Sequence, residues 1–308
     1  MEILLILIGI ALLYFGGEVL VNHSSRLALS LRLSPAVIGL TIVAFGTSSP
    51  ELLATLTATL QGAPDMAVGN VVGSNIANLG LILGLSAIIF PLRASSQFIR
   101  REVPFMIFAV ILLVPFSVDE TINRVEGAIL CGLLVLYLLY LFKNDASLGD
   151  DEFTQEYGQN KSVKWSVVGV VAGIALLVAG AQSLVLGAVD LARNVGISER
   201  VIGLSIVAVG TSLPELASSL VAAMKREGNI VLGNLIGSNI FNVLGILGTT
   251  AVFNPIAVSA NITGFDLWIA IGISIVVLPL ISTQLRIERW EGVILLATYV
   301  GYIVLIFS

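Results

Sequence analysis

The chain contains one segment twice. Residues 37–51 read VIGLTIVAFGTSSPE and residues 201–215 read VIGLSIVAVGTSLPE, identical at 12 of 15 positions with an offset of 164. A second pair, GNVVGSNIAN at 69–78 and GNLIGSNIFN at 233–242, keeps that offset and agrees at 7 of 10 positions. Each copy of the first segment sets one glutamate, Glu51 or Glu215, inside an apolar stretch. An ionisable residue in such a place is expensive, so two at equivalent positions point to a function they share.

The duplication runs through the whole chain. Gly16 matches Gly180, and Leu27-Ala28 matches Leu191-Ala192, at the same offset. Arg124-Val125-Glu126-Gly127 matches Arg289-Trp290-Glu291-Gly292 at 165, a slip of one residue. The 308 residues are 57% hydrophobic and 11% charged, against roughly 25% charged in a soluble domain. Ten apolar spans are expected, at about 3–29, 35–61, 66–90, 98–117, 122–142, 163–193, 199–224, 229–253, 262–283 and 288–307. Runs of about 20 apolar residues cross a bilayer as helices. The expected fold is therefore an all-α polytopic membrane protein in lipid. The leading MEILLILIGIALLYFGG has no positive region before it and reads as a retained first helix.

Residues 1–142 form the first half (spans one to five) and 165–308 the second (six to ten). The hydrophilic stretch 143–164 reads as a cytoplasmic linker between them. Five spans per half is odd, so the second half enters the membrane inverted, an arrangement common among secondary transporters. With both termini outside, 12 of the 15 Lys and Arg residues fall on the cytoplasmic side, and only Arg124, Arg193 and Arg200 outside. That is the bias of the positive-inside rule. The single Cys131 and single His23 exclude a disulfide framework and the usual zinc and proton-relay constellations.

Within GTSSPE at 46–51, Pro50 has no N–H for the carbonyl of Gly46. The helix is expected to break there, freeing carbonyls at mid-span. Irregular backbone at that depth is tolerated only inside protein or at a cavity, and a cation can satisfy it. Thr47, Ser48 and Glu51 add oxygens, repeated by Thr211, Ser212 and Glu215 beside Gly210 and Pro214. All-oxygen sets suit calcium and sodium. Asn78, Asn242, Ser74 and Ser238 complete the expected shell.

Plainer readings compete. A lone Ser/Thr-x-Pro-Glu is a common helix start, but here it is duplicated inside an apolar span. Gly69-x-x-x-Gly73 and Gly233-x-x-x-Gly237 fit close helix packing as well as ligation. Glu18 corresponds to Gln182, so its charge is not duplicated, and it reads as a local polar contact. The acidic cluster Asp150, Asp151 and Glu152 reads as a solvated face.

The paired motifs resemble the two alpha-repeats of the cation/calcium antiporter superfamily, and the whole chain is similar to its prokaryotic sodium/calcium exchangers. The resemblance implies ten helices in two inverted-topology five-helix repeats, broken at the ion site, with the first and sixth helices as a sliding gate. It implies Glu51 and Glu215 as the calcium carboxylates, with backbone oxygens of Thr47 and Thr211. Sodium would use the carbonyls of Ala44 and Ala208, the side chains of Thr47, Ser48, Ser74, Thr211, Ser212 and Ser238, and both glutamates. Asn78 and Asn242 would lie at the middle. It further implies an electrogenic exchange of three Na+ for one Ca2+ in the plasma membrane, without a cofactor, nucleic acid or obligate protein partner. The chain has Asn242 where some relatives carry aspartate, which argues against potassium dependence and leaves two carboxylates. A proton-coupled calcium antiporter and a cation channel are the alternatives. An intramembrane enzyme lacks a nucleophile and base near the motif.

Overall fold

The computed structural model describes residues 1–144, 162–196, 208–259 and 262–307. Most of the 143–164 stretch, with its acidic cluster, and residues 197–207, which include the start of the repeated segment, lie outside the described residues.

The chain is helical, as the apolar spans require. In order, the helices are α1 (Glu2–Leu31), α2 (Pro35–Thr47), α3 (Ser49–Leu60), α4 (Pro64–Ile89), α5 (Val103–Phe116), α6 (Arg124–Asn144), α7 (Val163–Asn194), α8 (Leu213–Met224), α9 (Gly228–Phe253), α10 (Leu267–Ser282) and α11 (Arg289–Phe307). Among the described residues, seven are long and apolar enough to cross a membrane (α10 when counted from Gly264), or eight when α2 and α3, bent by 44°, count as one span. Two expected spans fall short of that measure for visible reasons. In 98–117 the first turn carries Arg100, Arg101 and Glu102, and the apolar part, α5, has only 14 residues. In 199–224 the description begins at Ala208, leaving the 12 residues of α8 and a short helix Ala208–Thr211.

α9 is the centre of the molecule, with 94% of its apolar window buried. Small residues let other backbones close on it. A Cβ on Gly233 would sit 2.7 Å from Ala36 O, and one on Gly237 2.6 Å from Leu40 O, both in α2. These glycines are therefore packing residues. The equivalent surface for Gly69 and Gly73 falls on residues 200–208, almost all outside the described set.

α1 and α7 run antiparallel along most of their length. A Cβ on Gly16 would lie 2.8 Å from Leu177 N, and one on Gly173 2.6 Å from Leu20 N. With about 1.5 Å of rise per residue, the 30-residue α1 is about 45 Å long, more than the hydrocarbon thickness.

Two antiparallel two-residue ribbons tie the connections together. β1 (Leu92–Arg93) pairs with β4 (Arg286–Ile287), matching Leu92 to Ile287, and β2 (Thr121–Ile122) pairs with β3 (Ile256–Ala257), matching Ile122 to Ile256. Each ribbon joins one half of the sequence to the other, and the repeat offset carries β1 onto β3 and β2 onto β4.

Candidate functional site

Ser34 caps the start of α2 by accepting a hydrogen bond from Val37 N at 3.3 Å. Gly39–Val43 then winds as a π-helical turn, a form that collects at functional sites. The helix does not break at Gly46, which still lies in the helical turn Ala44–Thr47. It departs at Ser48 (φ −84°, ψ 8°) and restarts as α3 with Pro50 in its first turn. Ser48 N–H donates to Ala44 O at 3.0 Å and Leu52 N–H to Ser48 O at 3.2 Å. Pro50 has no N–H to offer Gly46 O between them. Gly46 serves a close approach instead, because a Cβ there would collide with Ile174 of α7, as one on Gly210 would with Val185. The second copy bends alike at Ser212 (φ −89°, ψ 6°).

The bend brings the two copies together. Glu51 and Glu215 are each 1% exposed. Ser48 Oγ donates to Glu215 Oε1 at 2.8 Å, and Ser212 Oγ donates to Glu51 Oε1 at 3.2 Å, so each serine holds the other copy's glutamate. Ser74 Oγ lies 3.3 Å from Ser212 Oγ and donates to it, because the single Ser212 hydroxyl proton goes to Glu51. Thr47 Oγ1 donates to Asn234 Oδ1 at 3.1 Å, and Thr211 Oγ1 reaches Asn70 Oδ1 at 3.5 Å. Asn70 in turn donates to Thr55 Oγ1 at 3.0 Å, and Asn234 to Ser219 Oγ at 3.0 Å. Among the described residues, neither carboxylate has an ion pair.

The asparagines form a second crossed set. Asn75 Nδ2 donates to Asn239 O and Asn239 Nδ2 to Asn75 O, both at 3.3 Å. A backbone carbonyl only accepts, so each amide must turn its N–H2 toward it and keep its oxygen on the other side. Asn78 Nδ2 then donates to Asn239 Oδ1 at 2.9 Å, and Asn242 Nδ2 to Asn75 Oδ1 at 3.0 Å. This fixes the amides of Asn78 and Asn242 with their oxygens turned away, and both Oδ1 atoms are buried without a partner. Glu51 Oε2, Glu215 Oε2 and Ser238 Oγ are buried as well, and none of the five oxygens has a partner among the described residues. Buried polar atoms in native proteins are nearly always satisfied. Five unsatisfied oxygens on the helices that carry the two motifs form the chemistry of a hard-cation site.

The structure thus brings together Glu51, Glu215, Ser48, Ser212 and Ser74 by direct bonds, and buries Thr47, Ser238, Asn78 and Asn242 with them. Thr211 is half-buried. Ala44 O is not a free carbonyl, since it accepts from Ser48 N–H at 3.0 Å. The side chain of Ala208 is outside the description, and Ala208 begins the short helix that ends at Thr211. Asn70, Asn75, Asn234 and Asn239 were missed as site residues. Their signal was present, because all four are duplicated at the 164-residue offset.

A buried, crossed set of oxygen donors shared by two sequence repeats marks a cation transporter of the membrane. The chain belongs to the sodium/calcium exchanger protein family, whose profile matches residues 1–143 and 165–308. It is 41% identical over 312 residues to a putative antiporter, CaxA, of Alkalimonas amylolytica, covering 98% of each chain. It is 34% identical to the sodium/calcium exchanger MaX1 of Methanosarcina acetivorans, covering 99% of this chain and 98% of that one. Its structure is similar to that of the sodium-calcium exchanger NCX_Mj soaked with 10 mM Na+ and zero Ca2+, with a TM-score of 0.87 at 34% identity over 98% of both chains. The protein is a multi-pass membrane cation/calcium antiporter and not an enzyme.

Proposed function

We propose that the chain exchanges Na+ for Ca2+ by alternating access, with Glu51 and Glu215 as two halves of one oxygen cage. The observation that carries this reading is the set of five buried oxygens, two of them on the crossed glutamates, that have no partner among the described residues. Thr47, Thr211, Ser48, Ser212, Ser74, Ser238, Asn78 and Asn242 supply neutral oxygens, and the carbonyls of Ala44 and Ala208 join when sodium is bound. Two carboxylates balance one divalent ion. Either ion can occupy the shared glutamates, and an empty cage leaves two charges unpaired in low dielectric, which opposes the change of access. The exchange is three Na+ for one Ca2+ and moves net charge, as the family resemblance implies.

The architecture that fits is ten spans in two inverted halves, 1–142 and 165–308, joined by a cytoplasmic 143–164 linker, with both termini outside in the plasma membrane. Three observations support it. The paired ribbons exchange under the repeat. So do the close approaches at glycine: a Cβ on Gly84 would lie 2.9 Å from Gly292 O, and one on Gly127 2.8 Å from Gly248 O. The loop charges obey the positive-inside bias.

The test is calcium-45 uptake into proteoliposomes with membrane potential clamped. An outward sodium gradient drives uptake in this account. Uptake driven instead by a proton gradient without sodium identifies the proton-coupled antiporter, and uptake needing no counter-ion identifies a channel; either result overturns sodium coupling.

A further inference from the structure

The α1–α7 unit closes on only one of two repeat-related helices, on α8 and not on α3. A Cβ on Gly17 of α1 would lie 3.0 Å from Val221 Cγ2 of α8, and Val221 is 3% exposed. One turn further along α8, Lys225 Nζ meets Glu18 Oε1 at 3.0 Å. The repeat builds the same surfaces in the other half, where Ala181 and Gln182 of α7 correspond to Gly17 and Glu18, and Thr57 and Gln61 to Val221 and Lys225. Those surfaces stand apart. Thr57, Gln61 and Gln182 are exposed, and Leu53 on the same helix is 65% exposed.

Two interfaces equivalent by sequence, one closed and one open, define a pair of states. Shifting the α1–α7 unit so that α7 closes on α3 and α1 leaves α8 gives the reverse arrangement from the same contacts. The repeat does not duplicate one of those contacts. Closing α1 on α8 forms an ion pair; closing α7 on α3 brings only Gln182 to Gln61.

We propose that Glu18 and Lys225 form a one-sided latch that biases the exchanger toward the state closed at α1–α8, leaving the α3 face, the proposed external one, open. The latch rests on the alternating-access reading above. Its side chains are 36% and 26% exposed, so it contributes as a partly solvated pair and shifts the ratio of the two states by about two- to fivefold. A shift of that size passes directly into the apparent ion affinity at each face.

The test reads which face is open without relying on transport. Thr57→Cys and Val221→Cys report the two equivalent surfaces in a Cys131→Ala background, labelled by an impermeant maleimide in right-side-out and inside-out vesicles. Glu18→Gln raises labelling of Val221→Cys relative to Thr57→Cys by about two- to fivefold, and Lys225→Gln does the same. The two substitutions together do no more than either alone. Glu18→Lys with Lys225→Glu restores the original ratio. Moving the latch, by Glu18→Gln and Lys225→Gln with Gln182→Glu and Gln61→Lys, inverts it. An unchanged ratio in the single variants, or effects that add in the double variant, overturns the latch. That failure in a protein that still exchanges Na+ for Ca2+ leaves the functional reading standing, whereas a wild-type protein without exchange refutes the reading itself.

Discussion

Asn239→Leu tests whether the asparagine network holds the site. Asn239 is fully buried, and the substitution keeps its branched shape and number of heavy atoms while removing both polar ends. One partner is orphaned: Asn78 Nδ2 loses its acceptor at 2.9 Å, while Asn75 O loses a side-chain donor at 3.3 Å and keeps the backbone N–H of Asn78. A buried unsatisfied group costs about 1–3 kcal/mol, and the variant is expected to lose about that much. The amide of Asn78 is then free to rotate, and its oxygen is no longer fixed toward the cage. The assay is thermal unfolding in detergent together with the half-saturating Ca2+ and Na+ concentrations of transport. A lowered Tm with weakened ion affinity is expected. Asn75→Leu removes the symmetric interactions, the acceptor of Asn242 Nδ2 and the side-chain donor to Asn239 O, and is expected to match it closely. A stability change under about 0.5 kcal/mol with unchanged affinity, the behaviour of an ordinary surface substitution, refutes the reasoning.

The other expectations concern packing and the charges of the site. Gly173→Val places a side chain against the backbone of Leu20, where no rotamer change gives relief, and costs about 1–3 kcal/mol as overpacking; loss of disulfide cross-linking between cysteines introduced in α1 and α7 reads it out. Tyr137→Phe removes the hydroxyl that donates to the fully buried Glu102 and lowers stability by about 1–3 kcal/mol, measured by chemical unfolding. Ser48→Ala and Ser212→Ala each remove the donor to the opposite glutamate; both weaken Ca2+ and Na+ together, and equal half-saturation values for variant and wild type contradict the crossed arrangement.

The sequence carries much of this site and little of its wiring. The offset of 164 residues and the two glutamates were visible without coordinates, as were the prolines that bend the helices. The crossed serines were not, because Ser48 finds Glu215 only when two segments 167 residues apart meet. The π-helical turns at Gly39–Val43, Asn78–Ile82 and Phe241–Leu247 leave no pattern in hydropathy. The position of the break was misread at Gly46, because proline forbids one hydrogen bond but the chain yields two residues later. One duplicated feature went unnoticed. Glu102 with Tyr137 and Asp266 with Tyr302 are carboxylate–tyrosine pairs at offsets of 164 and 165. Charges at the start of an apolar span read as solvated ends, whereas the fold buries Glu102 completely.

Equilibrium calcium binding to the purified protein in sodium-free buffer decides whether the glutamates form one cage or two sites. The account predicts one Ca2+ per chain in the wild type and none in either Glu51→Gln or Glu215→Gln, since each carboxylate supplies half of one site. A single-glutamate variant that keeps a full-affinity Ca2+ contradicts it.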